Sequence, residues 1–223
     1  MKTDVEAAQV HADVKKGLES IKDAQSTLAL TEKELTHLNI APGLSWNSAY
    51  KPAKELRDNE QKYVDNTHSY LNELKSVLTY FDASADLDKE YEDAVNDLSN
   101  ADLTAETDED YAKQVDAVIV KIDQTNQKVA ALSAPESLKA AHEYNVVTTK
   151  KLVQMLKDLS AAVKAQDYDK EDAIATDLAN LMDEAISKSD DYNADFIRSS
   201  NLRKLDDKLN DLDRTIEHQT AKL

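Results

Sequence analysis

Apolar residues recur at helical spacing along nearly the whole chain. From Asp4 to Leu38 a stripe returns every seven residues, at Val14, Ile21, Leu28 and Leu35, with Leu18, Ala24 and Leu38 beside it. That is the period of one amphipathic helix face. A second stripe runs through Leu56, Tyr63, Tyr70 and Val77, flanked by Leu71, Leu74, Leu78 and Phe81. Between them Asn39–Lys51 has no period, and Pro52 suits a first helical turn. The polar stretch DASADLD, Asp82–Asp88, predicts a break before a shorter third helix carrying Tyr91, Val95 and Leu98.

Thr107 is a good N-cap for a fourth helix, striped by Tyr111, Val115, Val118, Ile122, Val129 and Leu132. Pro135 starts a fifth, with Leu138, Leu152, Leu156, Leu159 and Val163. After AQDYDKED the pattern runs from Ile174 to Ile216 without Gly or Pro, which predicts one very long helix. Ser187–Asn193 is the polar place for any break in it. Two Gly and three Pro in 223 residues leave few sites for tight turns, so the class is all-α.

The chain resembles itself. At an offset of 81, Tyr63, Leu71, Leu74 and Leu78 fall on Tyr144, Leu152, Met155 and Leu159, and the motif D-x-D-K-E at Asp86–Glu90 recurs at Asp167–Glu171. At an offset of 94, Ile21, Leu28, Thr31 and Leu38 fall on Val115, Ile122, Thr125 and Leu132. The offsets differ by 13, the length of the Asn39–Lys51 segment. The pattern predicts an elongated antiparallel bundle of two tandem three-helix units, 1–106 with a loop insertion at 39–51, and 107–223 with an extended C-terminal helix. Coincident heptad phase with a shared capping motif is the alternative. The heptad stripe Leu202, Leu209, Ile216 and Leu223 needs a partner of its own, either the long first helix or a second chain in a homodimer.

Charge narrows the partners. With 44 acidic and 27 basic side chains the formal charge is −17, which repels phosphate backbones, so nucleic acid is not expected. No apolar run reaches the roughly 18 residues that span a bilayer. The absence of Cys removes disulfides, thiolate chemistry and Cys-based zinc sites.

Candidate chemistry is sparse. The alternating carboxylates Asp86, Asp88 and Glu90, and Asp167, Asp169 and Glu171, are candidate cation ligands, although Tyr91 and Asp172 stand where an EF-hand loop needs Gly. The competing reading makes Asp88 and Asp169 helix caps, with Glu90 and Glu171 beside the helix N-terminus. The histidines at 11, 37, 68, 142 and 218 form no ligating pair along a helix, and His142 alone lies on an apolar stripe. Tyr63, Tyr70 and Tyr144 sit on core stripes and are either packed or lining a ligand cavity. Asn39–Pro52 holds the only Trp; Leu44, Trp46 and Tyr50 either plug a bundle end with Ile40 or form a partner-binding loop.

The segment Ala134–Leu178 (APESLKAAHEYN…KAQDYDKEDAIATDL) resembles uncharacterised helical exported proteins and lipoproteins of Gram-positive bacteria. There Pro135 starts a helix, His142 follows, and the Asp167–Asp169 turn leads into an Ala-rich helix. The first unit departs from this pattern, with Asp58–Glu60 where the His falls. The resemblance implies an extracellular or cell-surface domain, with Met1 in place of an export signal; the alternative is cytoplasmic.

The resulting expectation is a non-enzymatic, acidic surface interaction or spacer module without a cofactor, taking a protein partner through loop 39–52 or the C-terminal stripe. The alternative is a small-ligand- or cation-binding bundle using the acidic turns or a Tyr-lined interior.

Overall fold

A computed structural model describes residues 2–37 and 50–221. These form six α-helices and one 3-10 turn, with no β-strand among the described residues. In chain order they are α1 (Lys2–His37), α2 (Tyr50–Thr104), α3 (Asp108–Ala130), the 3-10 turn Glu136–Leu138, α4 (Lys139–Ala165), α5 (Tyr168–Ser199) and α6 (Asn201–Thr220). The fold is an all-α helical bundle, as the periodicity predicts.

The spine is α2, whose 55 residues extend about 82 Å at about 1.5 Å per residue. Along its first half α1 runs antiparallel, so that Glu32 meets His68, Gln25 meets Asn72 and His11 meets Asp82. Gly17 leaves room for the Leu78 side chain, since a Cβ there would lie 2.8 Å from Leu78 Cδ1. The same half of α2 carries α6, tied at its far end by Asn59 Nδ2 donating to Gln219 Oε1 at 3.0 Å. The second half of α2 packs against α3, with the ion pairs Lys121–Asp97 and Lys128–Glu90 marking the antiparallel register. Next to α3 lies α4, and next to α4 lies α5.

Two apolar blocks result. One joins Ile21, Leu28 and Leu35 of α1 to Val64 and Leu71 of α2, with Leu74 and Leu78 against them. The other joins Ala94 of α2 to Val115 and Ile122 of α3 and Val153, Leu156 and Leu159 of α4, with Ile174 and Leu178 of α5 closing over it. The α1–α2 and α3–α4 hairpins bury the same aligned positions, Ile21 with Val115 and Leu28 with Ile122.

Helix ends follow local chemistry. Thr107 caps α3 by accepting from Asp110 N at 3.1 Å, and Asp108, Glu109 and Asp110 place negative charge at its positive end. Gln166 ends α4 in the left-handed region, φ 54°, and Asp167 N reaches back to Ala162 O at 3.0 Å.

The structure departs from the pattern in four places. No break occurs at Asp82–Asp88: α2 runs straight through, because residues two apart lie about 200° apart on a helix. Asp82 and Asp86 therefore meet His11 of α1, while Ser84 and Asp88 face the opposite side. Asp88 consequently caps nothing, and the cap of α5 is Asp167, accepting from Lys170 N at 3.2 Å, with Asp169 inside the first turn. The long C-terminal pattern breaks at Ser200 (ψ 163°), whose hydroxyl accepts from Arg203 N at 3.1 Å, and α5 passes unbroken through Ser187–Asn193. Finally, the C-terminal stripe rests on α2: Leu202 is buried and Leu209 and Ile216 are half-buried, while Leu223 lies outside the described residues.

Candidate functional site

The two apolar blocks do not meet. Between Leu78 and Tyr91 of α2, four other helices arrive or depart: α3 ends, α4 begins, α5 ends and α6 begins. Helix ends leave space that side chains do not fill, and here they border a cavity of about 780 Å³ that is open to solvent on one side, within the range of small-molecule sites.

One wall is a single face of α2. Tyr80, Ser84, Asp88 and Tyr91 follow one another at steps of four, four and three, the spacing that stacks side chains along a helix. The end of α3 contributes Thr125 and Asn126, both 4% exposed, whose polar groups are already engaged. Thr125 Oγ1 donates to Glu90 Oε2 at 3.2 Å and Asn126 Nδ2 to the Val146 carbonyl at 3.4 Å. His142 enters from α4, Tyr192 and Phe196 from α5, and Lys204 from α6.

The floor is latched by one carboxylate. Glu73 Oε1 accepts from Ser137 Oγ at 2.6 Å and from Ser137 N at 3.0 Å, and Ser137 Oγ accepts from Leu202 N at 3.3 Å. The latch joins α2, the 3-10 turn and the start of α6, and fixes the Ser200 joint beside the cavity.

Tyr80 and His142 form the polar pair of the site. The phenol oxygen is 3.0 Å from Nδ1, and the rings meet edge to face at 82°. Burial, and then the Asp88 charge, push the Tyr80 phenol above its ordinary value of 10.0. A phenol held neutral keeps its proton for hydrogen bonding, and it can donate to Nδ1 or accept from it according to the imidazole tautomer. Burial likewise pushes the Tyr91 phenol up. The Asp88 side chain is open to the cavity, yet the surrounding helices displace bulk water, and this burial raises its carboxyl above the usual 3.8 despite the Ser84 hydrogen bond. No cation pairs with Asp88 among the described residues.

The six carboxylates of the two acidic motifs are not brought together. Asp86 bonds His11, Asp88 lines the cavity, and Glu90 binds Lys128 at 2.7 Å; Asp167 caps α5, with Asp169 and Glu171 in its first turn. Among the described residues no group of three or more His, Asp or Glu side chains is arranged to hold a metal ion. Tyr50 is the half-buried first residue of α2, whereas Leu44, Trp46 and Ile40 lie outside the described residues.

Of the tyrosines singled out by stripe position, Tyr70 packs on the first apolar block, and Tyr144 meets the cavity residue Tyr192 at a ring tilt of 50° with centres 5.5 Å apart. The residues that line the cavity, Tyr80, Tyr91 and Tyr192, carry a different signal. They fall where aromatic and polar residues share a helix face, as in Tyr80-x3-Ser84-x3-Asp88-x2-Tyr91. No described helix is long and apolar enough to cross a membrane. The chain matches no family model, no curated protein and no solved structure.

Proposed function

We propose that the protein is a ligand-binding helical module, not an enzyme, and that a small organic molecule occupies the cavity between its two apolar blocks. The observation that carries this reading is the cavity itself: about 780 Å³, walled by aromatic rings and by a few polar groups not consumed by packing. An apolar body that fills this solvent-open cleft gains dispersion contacts with the ring walls and removes their apolar surface from water. The Glu73–Ser137–Leu202 latch supports the reading, because it fixes the 3-10 turn and the start of α6, both of which border the cavity, against α2.

The test is a fluorine NMR screen with small fluorinated aromatic fragments, cationic, neutral and anionic, against the full chain. Some fragments are expected to broaden, and to lose that broadening in the cavity-filling variants Ala185→Trp and Ser189→Phe. An absence of broadening in every charge class, or broadening that both folded variants retain, would refute it.

A second reading, a surface-exposed interaction or spacer module outside the cell, has its own support. The length of α2, about 82 Å, suits a spacer, and Met182, Ile186 and Ile197 of α5 stand 51%, 63% and 70% exposed. Pull-down by a partner that is lost in Met182→Ser/Ile186→Ser, with fragment binding intact, would favour it.

A further inference from the structure

Within that ligand-binding reading, the charges around the cavity select among ligands. Asp88, Glu136 and Asp195 line it against one lysine, Lys204, on a chain whose net charge is −17. The protein field therefore draws cations toward the opening and repels anions.

Asp88 sits at the centre of the α2 wall, one turn from Ser84 and within the electrostatic reach of Tyr80. Its neighbours Glu90 and Asp86 have cationic or hydrogen-bonding partners, Lys128 at 2.7 Å and His11 at 3.2 Å. Asp88 has no such cation among the described residues, although a lysine precedes Glu90 in the sequence: Lys89 turns away to Asp93 at 3.2 Å. Tyr80, which feels the Asp88 charge, lines the cavity together with Tyr91 and Tyr192. Aromatic faces attract a cation through their quadrupole and shelter an apolar body, while a carboxylate accepts charge-assisted hydrogen bonds.

We infer that the ligand is a small organic cation, a protonated primary or secondary amine on a flat apolar body, with the Asp88 carboxylate as its ion-pair partner and the tyrosine rings around the body. Ligand binding then supplies the positive charge that the fold withholds from Asp88.

Three isosteric indoles test this by titration calorimetry with the full chain: tryptamine (cation), tryptophol (neutral) and indole-3-acetate (anion). Tryptamine is expected to bind about tenfold more tightly than tryptophol, the effect of one charge-assisted contact, and indole-3-acetate most weakly. Asp88→Asn should bring tryptamine down to the tryptophol affinity and leave tryptophol unchanged. Equal affinity for the three indoles, or a tryptamine preference that survives in Asp88→Asn, overturns the cation assignment and leaves the cavity reading standing. Failure of all three to bind the folded chain counts against both.

Discussion

The Tyr80 phenol and the His142 imidazole, 3.0 Å apart, join the spine helix to α4 at the point where the two apolar blocks separate. Sixty-two residues apart in sequence, they are the only ring pair among the described residues that is also a hydrogen bond. Removing the hydroxyl by Tyr80→Phe leaves a half-buried Nδ1 without its hydrogen-bond partner. The expected loss is about 1 kcal/mol in urea unfolding. A double-mutant cycle with His142→Leu should recover a coupling of about the same size; additive single effects would mean that the pair contributes nothing.

Asp88 gives a pH signature of opposite sign to the usual acidic side chain. Its folded carboxyl binds the proton more tightly than the unfolded one, so the native state holds more protons between the two values. Stability therefore falls as pH rises from the unfolded value through the folded value, and is level above it. Asp88→Asn should raise the thermal midpoint of the ligand-free protein at neutral pH and flatten that part of the profile. An unchanged profile would show that Asp88 is solvated as on an open surface.

His11 adds a second, separate dependence. Hydrogen bonds to Asp82 and then Asp86 raise its pKa above 6.5 and bind α1 to α2. A raised histidine stabilises fully below its unfolded value, and this contribution disappears as pH rises through the folded value. NMR titration should place the imidazole above 6.5, and His11→Ala should remove the corresponding alkaline decline. A titration at or below that value contradicts the bridge.

Gln166 ends α4 at φ 54° without being a glycine, a conformation that costs other residues about 1 kcal/mol. Gln166→Gly is expected to stabilise the protein by about 0.5–1 kcal/mol in denaturant unfolding, part of the relief being offset by a freer unfolded chain. In the second block, Leu156, 0% exposed, tests the core: Leu156→Ala should cost about 2–5 kcal/mol.

Most of the helical architecture was legible in the periodicity, because buried positions such as Val14, Ile21, Leu28 and Leu35 had to repeat at the helical period. The cavity was not legible. DASADLD reads as a break in one dimension, since a polar run lacks a stripe. In three dimensions it has two clients: Asp82 and Asp86 serve His11, and Ser84 and Asp88 face the cavity. The Ser200 joint was missed for a related reason. The polar residues of Ser187–Asn193 are exposed on an unbroken helix, whereas the break falls at a buried serine with no Gly or Pro to announce it. A stripe such as Leu202–Leu209–Ile216 states that a partner exists, and only the packing identifies it as α2.

A ligand seated between the two blocks against Asp88 shows itself when tryptamine is mapped by NMR on the isotopically labelled full chain. Contacts and shift changes are expected to concentrate at Tyr80, Asp88, Tyr91, His142 and Tyr192, with intermolecular nuclear Overhauser effects from the indole to the Tyr80 and Tyr192 rings. Changes scattered over the surface, or confined to segments away from these five residues, would contradict it.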